Sequence, residues 1–230
     1  MIRALALLDR AIALDPRYAP ALGLAAQCRL MIDLNNWTDD PATNRRSALR
    51  FARQALQQAA DDPFVLARAG FVLGWFGEDI EAALRLVERA LDLNPSYALG
   101  WEYRGYLNAY AGRTDIAVQQ LETALRLDPC KHRGNLLAYI GVAHFFGRRF
   151  EEALEQLLLA LEENPSLITT HRFLAACYAH LGRFQEARDV VTRLRATNPA
   201  VMPGTVPYRN PEHRELYLSG LRLALGEGEK

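Results

Sequence analysis

ALGWEYRGYLNAYAGRTDIAVQQLETALRLDP, residues 98–129, decides the fold. Counting back from Pro129, small residues stand at Ala124, Ala117, Gly112 and Gly105, with the larger Leu121 and Trp101 among them. Two antiparallel helices joined by a short turn approach most closely where side chains are smallest, and a large residue between those points fills the gap. Proline closes the second helix, because it lacks an N–H and restricts the residue before it. Gly112 falls where the first helix must stop and supplies a left-handed cap. The stretch reads as one helical hairpin.

The same code recurs in both directions. An acidic or amide residue precedes proline at Asp15-Pro16, Asp62-Pro63, Asn94-Pro95, Asp128-Pro129, Asn164-Pro165 and Asn198-Pro199. The proline intervals are 47, 32, 34, 36 and 34 residues. Upstream of Pro165 stand Ala160, Leu157, Ala153 and Gly141; upstream of Pro199, Val191, Ala187, Tyr178 and Ala175. Pro95 has Ala90, Val87 and Ala83, with Gly70 and Gly77 one residue early, and Pro16 has only Ala11, Leu8 and Ala4. Gly77, Gly147 and Gly182 take the capping place of Gly112.

With this spacing, proline and small-residue code, residues 1–199 resemble the tetratricopeptide repeat family. The resemblance implies an all-α fold, a right-handed superhelix of antiparallel helix pairs. Its units are a half repeat over 1–18, a repeat over 19–63 with an insertion at 35–46, and repeats over 64–97, 98–131, 132–167 and 168–200. The insertion, NNWTDDPATNRR, is too polar to continue either flanking helix, and Trp37 either anchors it or arms a contact. The helix after it is expected to run one turn long before Pro63. Smaller slips near Gly77 and His132 are expected in turns.

AVMPGTVPYRN, residues 200–210, has little helix potential. Pro211 then opens a capping helix over 211–225, with Tyr217, Leu218, Leu221, Ala224 and Leu225 near one face. At the other end, Met1 starts directly in a second helix. The chain therefore reads as a fragment of a longer protein or as one beginning at an internal start, and residues 1–14 are expected to self-associate or fray. The WTDDP stretch, the repeats and PYRNPEHRELYLSGLRLAL also resemble the C-terminal repeat regions of bacterial signalling proteins. In those, the repeats follow a nucleotide-cyclase or winged-helix domain, which implies a regulatory or oligomerisation module. No cyclase or winged-helix residues occur, so neither activity carries over.

Bulk properties exclude several classes. Twenty-seven basic residues balance 27 acidic ones, and no run of five like charges occurs, which speaks against nucleic acid and membrane surfaces as partners. No stretch of eighteen apolar residues spans a bilayer. Three dispersed cysteines, Cys28, Cys130 and Cys177, fit reduced thiols in the cytoplasm. No cofactor, metal or catalytic site is expected. Cys177 with His180, and Cys130 with His132, are pairs rather than sites. His144 and His171 occupy packing positions. Glycine stretches lack phosphate-loop spacing. Paired acids such as Asp39/Asp40, Asp61/Asp62, Glu151/Glu152 and Glu162/Glu163 suit helix caps.

The expected function is protein binding. In the family, the second, fifth, ninth, twelfth and thirteenth positions of each first helix face a groove. Carried over, these are Phe64, Phe71 and Trp75; Leu99, Glu102, Tyr106 and Tyr110; Asn135, Phe145 and Phe146; and Thr169, Arg172 and His180. The reading is an aromatic groove for a protein or peptide segment, or for a fused N-terminal domain. Some of these rings also suit packing between repeats. The basic clamp of chaperone-binding members is missing: fifth positions are Gly23, Ala67, Glu102, Ala138 and Arg172, and ninth positions Gln27, Phe71, Tyr106, Val142 and Ala176.

Overall fold

Segments of 13 to 18 residues, rich in Ala, Leu and Arg, alternate with short turns, and each forms one α-helix. A computed structural model describes residues 2–35, 37–77, 79–130, 132–203 and 206–227. The described residues hold twelve helices and no strand, in two compact units that divide after Leu107. The first unit contains α1 (Ile2–Leu14), α2 (Ala19–Leu34), α3 (Pro41–Gln58), α4 (Pro63–Trp75), α5 (Ile80–Leu93) and most of α6 (Ala98–Ala111). The second contains the end of α6, then α7 (Thr114–Leu127), α8 (Arg133–Phe146), α9 (Phe150–Glu163), α10 (Ile168–His180), α11 (Phe184–Thr197) and α12 (Pro211–Ala224). Within the units α2 pairs with α3, α4 with α5, α8 with α9 and α10 with α11.

First and second helices bury different amounts. The second helix α9 buries one stripe, Ala153, Leu154, Leu157 and Ala160, at helical spacing. The first helix α8 buries residues all round, from Gly134 and Leu136 to Phe145 and Phe146. First helices are flanked on several sides, so large side chains there are enclosed. The small-residue code marks the closest contacts. A Cβ on Gly141 would lie 2.6 Å from Leu157 Cγ and 3.2 Å from the Ala153 carbonyl oxygen, so only glycine fits between those helices.

The turns correct three readings. Pro63 does not end a second helix; it opens α4 at its first turn, and the Asp62 carboxylate caps the Phe64 and Val65 N–H groups at 2.8 and 3.1 Å. The residue matching the other helix-ending prolines is Ala60. Ala59 has the same backbone angles, φ −145° and ψ 72°, as Asn94 (−143° and 86°) and Asn164 (−143° and 82°). The extra turn of α3 therefore sits at its start. PATNRR belongs to α3, with Pro41 tolerated in the first turn and Asp40 accepting from Thr43 N–H at 3.0 Å, so the connection is shorter than 35–46. Trp37 is 54% exposed and so is no core anchor.

The third correction concerns a glycine. Gly77, Gly112 and Gly182 take left-handed φ of 94°, 88° and 73°, but Gly147 has φ −75° and the left-handed place falls to Arg148 at φ 57°. Register explains it: Arg149 N–H bonds the His144 carbonyl at 3.0 Å, as Arg183 bonds Tyr178 at 2.8 Å, and the residue before each must turn left-handed. A side chain at positive φ costs about 1–2 kcal/mol. Arg148→Gly is therefore expected to raise stability by about 1 kcal/mol, read as a higher urea midpoint at unchanged slope.

At the ends, α1 packs on α2 yet buries no residue. Leu8 and Ala11 are half-buried, Ala4 is exposed, and Ile2, Leu7 and Leu14 are 67%, 58% and 89% exposed. Helix α12 forms where the proline signal placed it, capped by Asn210 on Glu212 N–H at 2.8 Å. It packs on α10 and buries Leu216, Tyr217, Gly220, Leu221 and Ala224. No described helix is long and apolar enough to cross a membrane.

Candidate protein-binding face

In the first unit, the first helices carry a polar and aromatic network. Arg68 is its centre. Its Nε donates to Gln27 Oε1 at 3.0 Å, and its Nη1 donates to the Phe64 carbonyl at 3.2 Å and to Tyr97 Oη at 3.1 Å. Gln27 in turn donates from Nε2 to Tyr103 Oη. Burial pushes the Tyr97 and Tyr103 hydroxyls up, so both remain protonated at neutral pH. Phe71 stacks on Tyr103 at 4.4 Å, and Tyr106 Oη donates to Glu102 Oε1 at 2.8 Å. Above this floor Phe64 stands edge-on to Tyr97, 4.8 Å between centroids, and is 47% exposed. A cleft of about 240 Å³ lies beside it, lined by Pro20, Gly23, Asp62, Phe64, Val65 and Arg68. Leu24, one turn from Pro20, is 40% exposed.

In the second unit, the corresponding face is covered by the chain itself. Arg172 donates from Nε to the Val201 carbonyl and from Nη2 to the Ala200 carbonyl, both at 2.7 Å. Tyr208 inserts among Tyr110, Phe146 and Phe173, at 5.9, 4.5 and 6.0 Å between centroids, and is 5% exposed. The Arg209 N–H donates to the Tyr110 carbonyl at 2.8 Å. His213 stacks on Phe146 at 4.6 Å and 3°. His180 Nε2 meets the Leu216 carbonyl at 2.8 Å.

The aromatic groove expected from the sequence is therefore corrected. Phe71, Trp75, Tyr106, Tyr110, Phe145 and Phe146 are all buried, as is Glu102; of the aromatics named, Phe64 alone is exposed. Leu99, Asn135, Thr169, Arg172 and His180 are half-buried. The rings of neighbouring first helices interdigitate, because a fully flanked helix leaves no free surface at those positions. Arg68, Leu24, Tyr208 and His213 were missed. Arg68 sits one residue past an assigned position, and Tyr208 and His213 lie outside the repeats, where periodicity gives no signal.

Cys177 is buried, its Sγ near the Phe150 carbonyl at 3.8 Å, and burial pushes its thiol up. Cys28 is buried, its thiol also raised, and Cys130 is exposed. His144 Nδ1 accepts from Arg149 Nε at 3.0 Å. Among the described residues no group of three or more His, Cys, Asp or Glu is placed to hold a metal.

Paired helices locked by small residues, with aromatic first helices, define an all-α helical-repeat protein. A model of the tetratricopeptide repeat family matches residues 75–129, 108–168 and 140–201, together more than half of the chain, and the chain belongs to that family. No curated protein sequence matches it. Among solved structures it is similar to a chain of the APC/C hetero-tetramer Cut9–Hcn1, with TM-score 0.69 and 15% identity over 94% of this chain and 39% of that one. It is similar to PilW, a type IV pilus biogenesis factor, with TM-score 0.64 and 17% identity over 92% and 88%. MamA from Desulfovibrio magneticus RS-1 gives TM-score 0.56 and 18% identity over 76% and 96%. At these identities the likeness is one of fold.

Proposed function

We propose that the protein is a protein-interaction scaffold, and that its first unit offers a partner the open cleft around Phe64. The observation that carries this is the half-exposed Phe64 standing over a polar network that fixes Arg68. An aromatic on a rigid base loses little entropy on binding, and a guanidinium held at its rim orients a carbonyl or carboxylate. The cleft has room for one apolar side chain of a bound segment. The buried Phe71, stacked on Tyr103 and tilted against Tyr106, supports the network from below.

A second reading comes from α1, a helix that buries nothing, whose exposed Leu7 and Leu14 share one face, with Ile2 exposed at its start. Such a surface suits self-association, or contact with another domain of a larger signalling protein. A photo-crosslinking residue placed in cells at Phe64, at Leu7 and at the exposed Leu158 of α9 tests both. The expected result is a heterologous adduct from Phe64 and a homodimer or neighbouring-domain adduct from Leu7, with none from Leu158. Equal adducts from all three positions would remove both readings.

A further inference from the structure

We propose that residues 198–213 are an intramolecular ligand, and that the face they cover takes in trans an extended, proline-bearing peptide with one aromatic anchor. This rests on the scaffold reading but concerns a different surface. Tyr110, Phe146 and Arg172 come from three different first helices, and one segment engages all three. Residues 198–203 and 206–210 hold no helix before α12 begins at Pro211, and Pro199, Pro203 and Pro207 each fix φ at a value suited to extended backbone. Its contacts have the form of peptide recognition. Arg172 holds two successive main-chain carbonyls, the Tyr110 carbonyl receives a main-chain N–H, and one ring fills a pocket between Phe146 and Phe173. Main-chain bonds fix the path and the single ring sets specificity, so the face demands little else of a ligand.

Tethering explains how such a site stays closed. Direct attachment to α11 and α12 gives this segment an effective concentration on the order of millimolar or higher, so a free peptide competes poorly until an anchor is lost. Tyr208 is that anchor. Removing it from the chain leaves the receptor residues untouched.

The test uses the full chain and a fluorescein-labelled peptide of residues 198–215, read by anisotropy. The Tyr208→Ala chain is expected to bind the peptide at least about ten-fold more tightly than the unaltered chain. A peptide carrying the same substitution should bind neither. Adding Arg172→Ala to the Tyr208→Ala chain should weaken binding again. Equal binding by both chains, or none by either, overturns the proposal. Should Tyr208→Ala fail to fold, hydrogen exchange on the unaltered chain decides. The Arg209 amide and α12 must exchange together and faster than α8 and α9, and exchange at the same rate as those helices overturns it. A defined peptide is the probe, so failure here leaves the Phe64 crosslinking result unaffected.

Discussion

Phe145→Ala should destabilise the protein by about 3–5 kcal/mol, the range for emptying a phenylalanine site in a packed core. Phe145 is 0% exposed and touches Phe146, Phe150 and Phe173 at 5.5, 5.5 and 5.2 Å between centroids. These contacts come from three helices, so the void cannot close without moving all of them. Phe64→Ala should cost under about 1 kcal/mol, since its ring is half in water and rests on Tyr97 alone among the aromatic contacts described. Urea unfolding of the two variants measures the difference. Near-equal midpoints would show that Phe145 lies in an adaptable groove and not in a core, and would restore the aromatic-groove reading.

The contrast shows what sequence can and cannot resolve here. Helix pairing was legible because it depends on close contacts: Gly141, Ala153 and Leu157 meet as their spacing requires. Helix starts were less legible, because proline serves two positions. It follows a helix end at Pro95 and Pro129 and opens a helix at Pro63 and Pro41, and the residue before it does not separate the cases, since Asp128 is a C-cap while Asp62 and Asp40 are N-caps. Side-chain exposure on the first helices was not legible. The family pattern gives a direction for position thirteen, but whether Phe146 meets solvent depends on Tyr208 and His213, some sixty residues away in an aperiodic segment.

Acid should weaken the fold, and first where the C-terminal segment meets its face. Three half-buried histidines, His144, His180 and His213, are held below the ordinary imidazole value, in each case mainly by burial. The Arg149 guanidinium adds to this at His144, and that of Arg148 does so at His180 and His213. Glu212 pulls His213 the other way, as do Glu152, Glu122 and Asp115 at His144. The unfolded chain therefore binds protons near pH 6.5 before the folded chain does. Stability is full above that pH and is lost as pH falls from about 6.5 toward the depressed folded values. Each histidine adds at most about 1.4 kcal/mol per pH unit to the slope, less at these half-buried rings because solvent screens them. His213 is the informative one. Its buried Nδ1 has no hydrogen-bond partner among the described residues, and its ring stacks flat on Phe146. His213→Phe keeps the stack and removes the charge. Urea midpoints of this variant should fall less steeply between pH 6.5 and 5 than those of the unaltered chain. Hydrogen exchange in the unaltered chain should show α12 opening ahead of α8 over the same range. A His213→Phe variant with an unchanged pH slope would mean that His213 is neutral in neither state's favour, and the acid sensitivity would then lie with His144 and His180 alone.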